Sequence, residues 1–212
     1  MLVLSLIVIS IGGAVEIIPT FLVKSNVPTI SSVKPYTPLE LQGRDIYVRE
    51  GCYLCHSQMI RPFRSETERY GEYSKAGEFV YDHPFQWGSK RTGPDLAREG
   101  AGNLKKSNGW HFRHLREPSS MSEGSLMPSY AFMLRKDLDT STTPAKIRAM
   151  QTLGVPYPKG YDKIANADLM KQARGIAENL QSDSIRVSPN KEVIALISYL
   201  QRLGTDISKI KH

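Results

Sequence analysis

Thiols are scarce in this sequence: among 212 residues only Cys52 and Cys55 carry sulfhydryls. A structural zinc centre built wholly from thiolates needs a second pair of ligands, and no further cysteine can supply it. Long hydrophobic runs are equally scarce. The first 23 residues form the single one, which fits one modest domain plus one anchor. Alternating strand patterns, a Gly-rich phosphate loop, paired carboxylates and a Ser–His–Asp set are all missing, so hydrolytic and phosphoryl-transfer chemistry has no obvious seat. The formal charge is +7, but 28 basic residues are interspersed with 21 acidic ones. Without a basic stripe or interleaved aromatics, that balance argues against nucleic acid and for a solvated surface with some docking bias.

The two cysteines are not scattered. They stand in Cys52-Tyr53-Leu54-Cys55-His56, and Cys-x-x-Cys-His is the attachment signal of a c-type haem. Two intervening residues let both thiols reach the vinyl groups on one porphyrin edge. The adjacent imidazole then approaches the iron as proximal ligand. A redox dithiol would gain nothing from the trailing histidine and is expected beside a βαβ pattern, which the flanking sequence lacks. A plain disulfide is the remaining alternative. The expected cofactor is one covalently bound haem c with His56 on its iron.

Residues 1–23, at ~1.5 Å per residue, can cross a hydrocarbon core of ~30 Å. No basic n-region precedes the run and no small-x-small site precedes Lys24, so a retained anchor is expected rather than a cleaved signal. Lys24, Lys34 and Arg44 follow the run, which by the positive-inside rule points the body towards the cytoplasm. Covalent haem attachment in bacteria takes place outside the cytoplasmic membrane, and that requirement outweighs a statistical rule. The body is therefore expected on the periplasmic side of the inner membrane. Glu16 within the run has two readings, snorkelling at the outer headgroups or pairing with a neighbouring transmembrane subunit. Residues 24–39, with Pro28, Pro35 and Pro38, read as an extended linker.

The remaining stretch, 40–212, reads as a mostly α-helical domain with long loops. A first helix is expected over about 39–51 and a second near 167–181, where Leu169, Ala173, Ile176 and Leu180 recur at helical spacing. The last is expected over about 189–203, with Ser188 as cap, Pro189 in the first position and Gly204 beyond the end. Its Val193, Leu196, Ile197, Leu200 and Leu203 share one face. In small c-type cytochromes the first and last helices cross with a glycine and an aromatic at the contact. Gly43, Tyr47 and Tyr199 fit that crossing.

An iron held by one histidine needs a sixth ligand or an open site. Met59 lies too close to His56 to reach round the ring, and Met150 and Met170 read as helix-face residues. Met127 stands before Pro128, which keeps the preceding residue extended and its side chain on a loop. It is the expected distal ligand, with Met121 and Met133 as alternatives and a core gap-filler as its other reading; His83, His111, His114 and His212 complete the candidates. In Thr92-Gly93-Pro94-Asp95 the Pro94 carbonyl is expected to accept from the proximal imidazole, fixing its tautomer. An ordinary proline turn is the alternative.

From Gly43 to Gly100 the sequence resembles the membrane-anchored mono-haem cytochrome c subunit, subunit II, of cbb(3)-type haem–copper oxidases. The likeness extends to Gly13–Pro19 of the anchor, LMPSY, RAMQTLGVPY and ISYLQRLGTDI. It departs most around Ser107–Glu123 and in the short N-terminus. The resemblance implies a class I cytochrome c-like domain that relays electrons in aerobic respiration. The implied acceptor is the low-spin haem b of the catalytic haem–copper subunit, where oxygen is reduced. The implied donor is a further cytochrome c subunit or a soluble cytochrome. A His–Met iron leaves this subunit without an oxygen-reducing site of its own. An insertion at about 58–91, aromatic and charged, is the expected docking surface, with Gly88–Arg91 nearest the electron exit; a self-packed loop is the alternative. Arg61, Arg64, Arg69, Arg91, Arg98, Asp82, His83, Trp87 and Trp110 are candidate propionate or interface contacts. A free-standing membrane-tethered shuttle, or a haem enzyme or gas sensor with an open distal site, are the competing functions.

Overall fold

The computed structural model describes residues 1–23, 29–88 and 90–207. Part of the linker, Ser89 and the candidate ligand His212 lie outside the described residues. Helix α1 spans Leu2–Leu22. Its Leu2–Thr20 stretch, of mean hydropathy 2.3, is long and apolar enough to cross a membrane, and none of it is buried against the body. Pro19 sits inside the helix near its end, and Thr20 Oγ1 donates to the Glu16 carbonyl at 2.8 Å.

The body is mostly helical, with long loops. Among the described residues there is no β-strand, only an isolated bridge between Asp137 and Lys191. Helix α2 spans Pro38–Arg49 and opens with a capping box: the Glu40 amide donates to the Thr37 side chain and the Thr37 amide donates to Glu40. Proline at the first position completes that start. The helix stops short of the expected residue 51, because Gly51 takes a left-handed conformation (φ 70°) and a 3-10 turn, Cys52–Leu54, follows. The haem motif therefore sits on its own turn beyond the helix.

Helices α3 (Arg64–Tyr70), α4 (Asn108–Arg116), α5 (Pro118–Met121), α6 (Thr143–Thr152) and α7 (Tyr161–Ser182) lead to α8, Glu192–Arg202. The expected start of α8 at Ser188–Pro189 is corrected: the cap is Lys191. Residues 188–191 are drawn into a tertiary pairing, with the Leu138 amide on the Asn190 carbonyl at 2.7 Å and the Glu192 amide on the Lys136 carbonyl at 3.0 Å. The apolar face of α8 is buried as its spacing requires, and Gly204 turns the chain at φ 78° beyond its end.

Helices α2 and α8 make the closest approach in the domain. A Cβ on Gly43 would lie 2.0 Å from the Ala195 carbonyl oxygen and 2.8 Å from Tyr199 Cβ, so only glycine allows the contact. One turn on, the Tyr47 and Tyr199 rings pack at 5.4 Å and 59°. Both phenols are buried, and each finds an acceptor: Tyr47 donates to the His56 carbonyl at 3.2 Å and Tyr199 to Gln58 Oε1 at 3.0 Å. The crossing thus fixes the residues flanking the haem motif.

Residues 58–91 fold back on the body. Asp82 pairs with Arg44 at 3.0 Å, Glu78 with Arg98 at 2.7 Å and Glu66 with Arg91 at 2.8 Å. Ile60 and Tyr70 are buried with Ala97. Glu66 is buried and Glu78 and Asp82 are half-buried, so breaking a pair would leave a charge poorly solvated.

Candidate functional site

The segment after α2 and the segment around Pro94 are stitched together by backbone. Gly93 donates to the Cys55 carbonyl at 3.0 Å, Leu96 to Ser57 at 2.9 Å and Gln58 to Trp87 at 2.9 Å. Buried Asp95 completes the seam by accepting from Ser57 Oγ (2.6 Å), the Met59 amide (2.9 Å) and the Ala97 amide (2.8 Å). This seam brings His56 and Pro94 together: the imidazole Nδ1 lies 2.8 Å from the Pro94 carbonyl oxygen. Gly93 lies flat against the ring, where a Cβ would come within 2.3 Å of Cε1. Burial lowers the pKa of His56, and the Pro94 carbonyl opposes that shift. A neutral ring donating through Nδ1 keeps the Nε2 lone pair free for a metal.

Cys52 is half-buried and Cys55 exposed, and neither is in a disulfide. Burial, helped by Glu50, pushes the Cys52 thiol up to about 12. Half-buried Met127 packs on the main core, as do Cys52 and Tyr130. Its loop hangs from α4: the Tyr130 amide donates to the Leu115 carbonyl at 2.8 Å and Ser129 Oγ to the Arg116 carbonyl at 2.6 Å. Of the other methionines, Met133 is fully buried in the core and Met150 packs against Leu41, Ile147 and Ala165. Met59 is surface-exposed, whereas Met121 is half-buried on α5.

Several arginines that are candidate propionate or interface contacts pair with carboxylates of the same chain. Arg61 and Arg91 bind Glu66, Arg98 binds Glu78 and Arg64 binds Glu68. Arg91 also donates to Ser57 Oγ at 2.7 Å and to the Met59 carbonyl at 2.9 Å. Arg91 thus braces the segment that follows the haem motif. Asp82 likewise serves Arg44. Trp87, by contrast, is 57% exposed.

A buried carboxylate beside α4, Glu99, escaped the sequence reading. Glu99 lies 3.6 Å from His111 Nε2, and both are buried. Burial pushes the Glu99 carboxyl up to about 7 and, with His114 and Lys106 adding to it, the His111 ring down to about 4. The closeness of these residues depends on how loop 95–107 folds under α4, which no local pattern encodes.

Taken together, two adjacent free thiols, an imidazole oriented by a carbonyl and a thioether on a loop suit a haem. The fold and site define a helical cytochrome c-type domain carried on an apolar N-terminal helix. Comparison with protein families matches residues 1–207 to cytochrome c oxidase, mono-heme subunit/FixO, and the chain belongs to that family, the mono-haem subunit of cbb(3)-type oxidases. A search of curated proteins gave no match. The protein is thus an electron-transfer subunit with one haem, part of a membrane oxidase complex that includes a catalytic subunit.

Proposed function

We propose that Cys52 and Cys55 bind the haem through thioether bonds, that His56 is its proximal ligand and Met127 its distal one. The observation that carries this reading is the 2.8 Å contact between His56 Nδ1 and the Pro94 carbonyl. It leaves the ring one free nitrogen for the iron. When bound, the haem supplies reversible one-electron chemistry at that iron. The chain's own residues do the rest. Pro94 holds the imidazole tautomer, Gly93 gives the ring its space, and the loop tied to α4 presents the Met127 sulfur. Ligation on both sides leaves no position for oxygen, so oxygen reduction belongs to the catalytic subunit.

Electrons enter from a further cytochrome c subunit or a soluble cytochrome and leave for the low-spin haem b of the catalytic subunit. Helix α1 anchors the chain in the bacterial inner membrane with the haem domain in the periplasm. Docking falls to the folded insertion, where an open cleft beside the motif is lined by Val48, Tyr53, Met59, Arg61, Phe85 and Trp87. Exposed aromatics with an arginine at the rim suit a protein interface.

Spectra of Met127→Ala test the ligand assignment. The thioether-to-iron band at the red end of the oxidised spectrum is expected to vanish, and the reduced form to gain carbon monoxide binding. Loss of that band in Met121→Ala or Met133→Ala instead, or carbon monoxide binding by the undenatured wild type, would overturn it.

A further inference from the structure

A haem brings two carboxylates into its crevice, and buried charge needs donors. The guanidinium groups nearest the motif are already committed to Glu66, Glu78 and Asp95. His114 has a donor that is not. Its Nδ1 is buried and has no hydrogen-bond partner among the described residues. The ring is also held in place: Trp110, one turn earlier on α4, stacks on it at 4.4 Å and 17°, and Lys106 Nζ lies 5.5 Å from the centre of the Trp110 ring. A clamped ring cannot swing its nitrogen out to water.

Helix α4 carries the carbonyls of Leu115 and Arg116 that suspend the Met127 loop. Burial lowers the pKa of His114, so its ring is neutral. A neutral, fixed imidazole is suited to donate one hydrogen bond rather than to carry charge.

We propose that His114 Nδ1–H donates a hydrogen bond to a haem propionate, with Trp110 holding the ring in the donating orientation. His114 is thus a positioning residue that tunes the haem, and the assignment rests on the reading of His56 as proximal ligand. A donor on the propionate offsets part of its negative charge and so favours the ferrous state. The geometry of the side-chain amide offers a discriminating rescue. Asparagine places an N–H close to where Nδ1 stands, whereas glutamine places it where Nε2 stands.

The full chain in detergent, purified as His114→Leu, His114→Asn and His114→Gln, tests this. In-gel haem staining and the red thioether band report the haem and its ligands separately; both are expected to persist in all three variants. In His114→Leu the propionate bending mode of the resonance Raman spectrum is expected to shift. The ferric-to-ferrous ratio at fixed potential is expected to rise about threefold, roughly 30 mV downward for a one-electron couple. His114→Asn is expected to restore both signals and His114→Gln to resemble leucine. If the leucine variant does not accumulate, the asparagine–glutamine pair carries the comparison. Wild-type mode and midpoint in the glutamine variant, or equal shifts in all three, would overturn the proposal. Loss of the thioether band in His114→Leu would also overturn it, by showing that His114 supports the Met127 loop rather than a propionate. Loss of haem staining in the wild type would instead sink the His56 reading beneath it.

Discussion

Replacing Gly93 by alanine puts a methyl group against the face of the proximal imidazole. The new Cβ would stand 2.3 Å from His56 Cε1, 2.7 Å from Nδ1 and 2.9 Å from Nε2. Relieving 2.3 Å to the 3.4 Å of an ordinary contact moves ring or loop by about 1.1 Å. Taken along the bond to Pro94, that motion stretches 2.8 Å to about 3.9 Å, beyond hydrogen-bond range. Losing the bond costs about 1 kcal/mol, and overpacking the contact adds about 1–3 kcal/mol. The expected outcome is a fall in the denaturant midpoint of the full chain in detergent, with the slope unchanged. The haem reduction potential is expected to rise, because an imidazole deprived of its acceptor is a weaker base towards ferric iron. Gly175→Ala is the control. It faces open space on α7, so helix propensity alone acts there, raising stability by up to about 1 kcal/mol. If Gly93→Ala behaves like Gly175→Ala and leaves the potential unchanged, the packing of Gly93 on the proximal ring is refuted.

Gly43→Ala sets propensity against packing in the same way: helix preference alone favours alanine, yet its Cβ would meet the Ala195 backbone at 2.0 Å, so a net loss of roughly 3 kcal/mol or more is expected in chemical denaturation, and a gain would refute the close crossing. Glu66 links the insertion to pH. Burial raises its pKa, but bonds from Arg91 and Arg61 outweigh this and hold the carboxyl down to about 2. The folded value lies below the ordinary 4.5, so its stabilisation is present above that pH and is lost on acidification towards 2; Glu66→Gln is expected to flatten this part of the pH–stability curve, and an unchanged acid limb would count against the Arg91–Glu66 link. Trp87→Ala combined with Phe85→Ala is expected to leave the haem spectrum intact while lowering co-purification with the catalytic subunit; full recovery with full oxygen consumption would remove the cleft from the interface. Point changes serve better here than deleting residues 66–82, since Glu78 and Asp82 hold Arg98 and Arg44 of the body.

Much of the scaffold could be read from the sequence because its signals are local. The spacing of Val193, Leu196, Ile197, Leu200 and Leu203 marks a buried helical face, and all five are buried. Thr37-Pro38 with Glu40 announces a helix start through capping chemistry that needs no tertiary partner. Where tertiary contacts compete with local preference, the reading drifted. Ser188-Pro189 is a good helix start in isolation, but pairing of residues 188–191 with 136–138 delays α8 to Glu192. The proximal motif and Gly93-Pro94 were legible as two signatures, yet the hydrogen bonds that stitch them run through Asp95 and Ser57, which have no pattern of their own. The arginines illustrate the deepest limit. Composition places Arg61 and Arg91 in a charged, aromatic insertion and Arg98 just beyond it, but only the fold shows that Arg61 and Arg91 pair with Glu66 and Arg98 with Glu78. His114 was visible as a candidate iron ligand; its stacking on Trp110 and its unpartnered nitrogen appear only in the fold.

Covalent attachment of haem to Cys52 and Cys55 is the claim on which the rest depends, and denaturing gel electrophoresis with haem staining after acid–acetone extraction measures it directly. The wild-type chain is expected to keep its haem signal at its own mass through extraction, and the Cys52→Ala/Cys55→Ala double variant to lose it. A wild-type chain stripped of haem by the extraction would contradict the account.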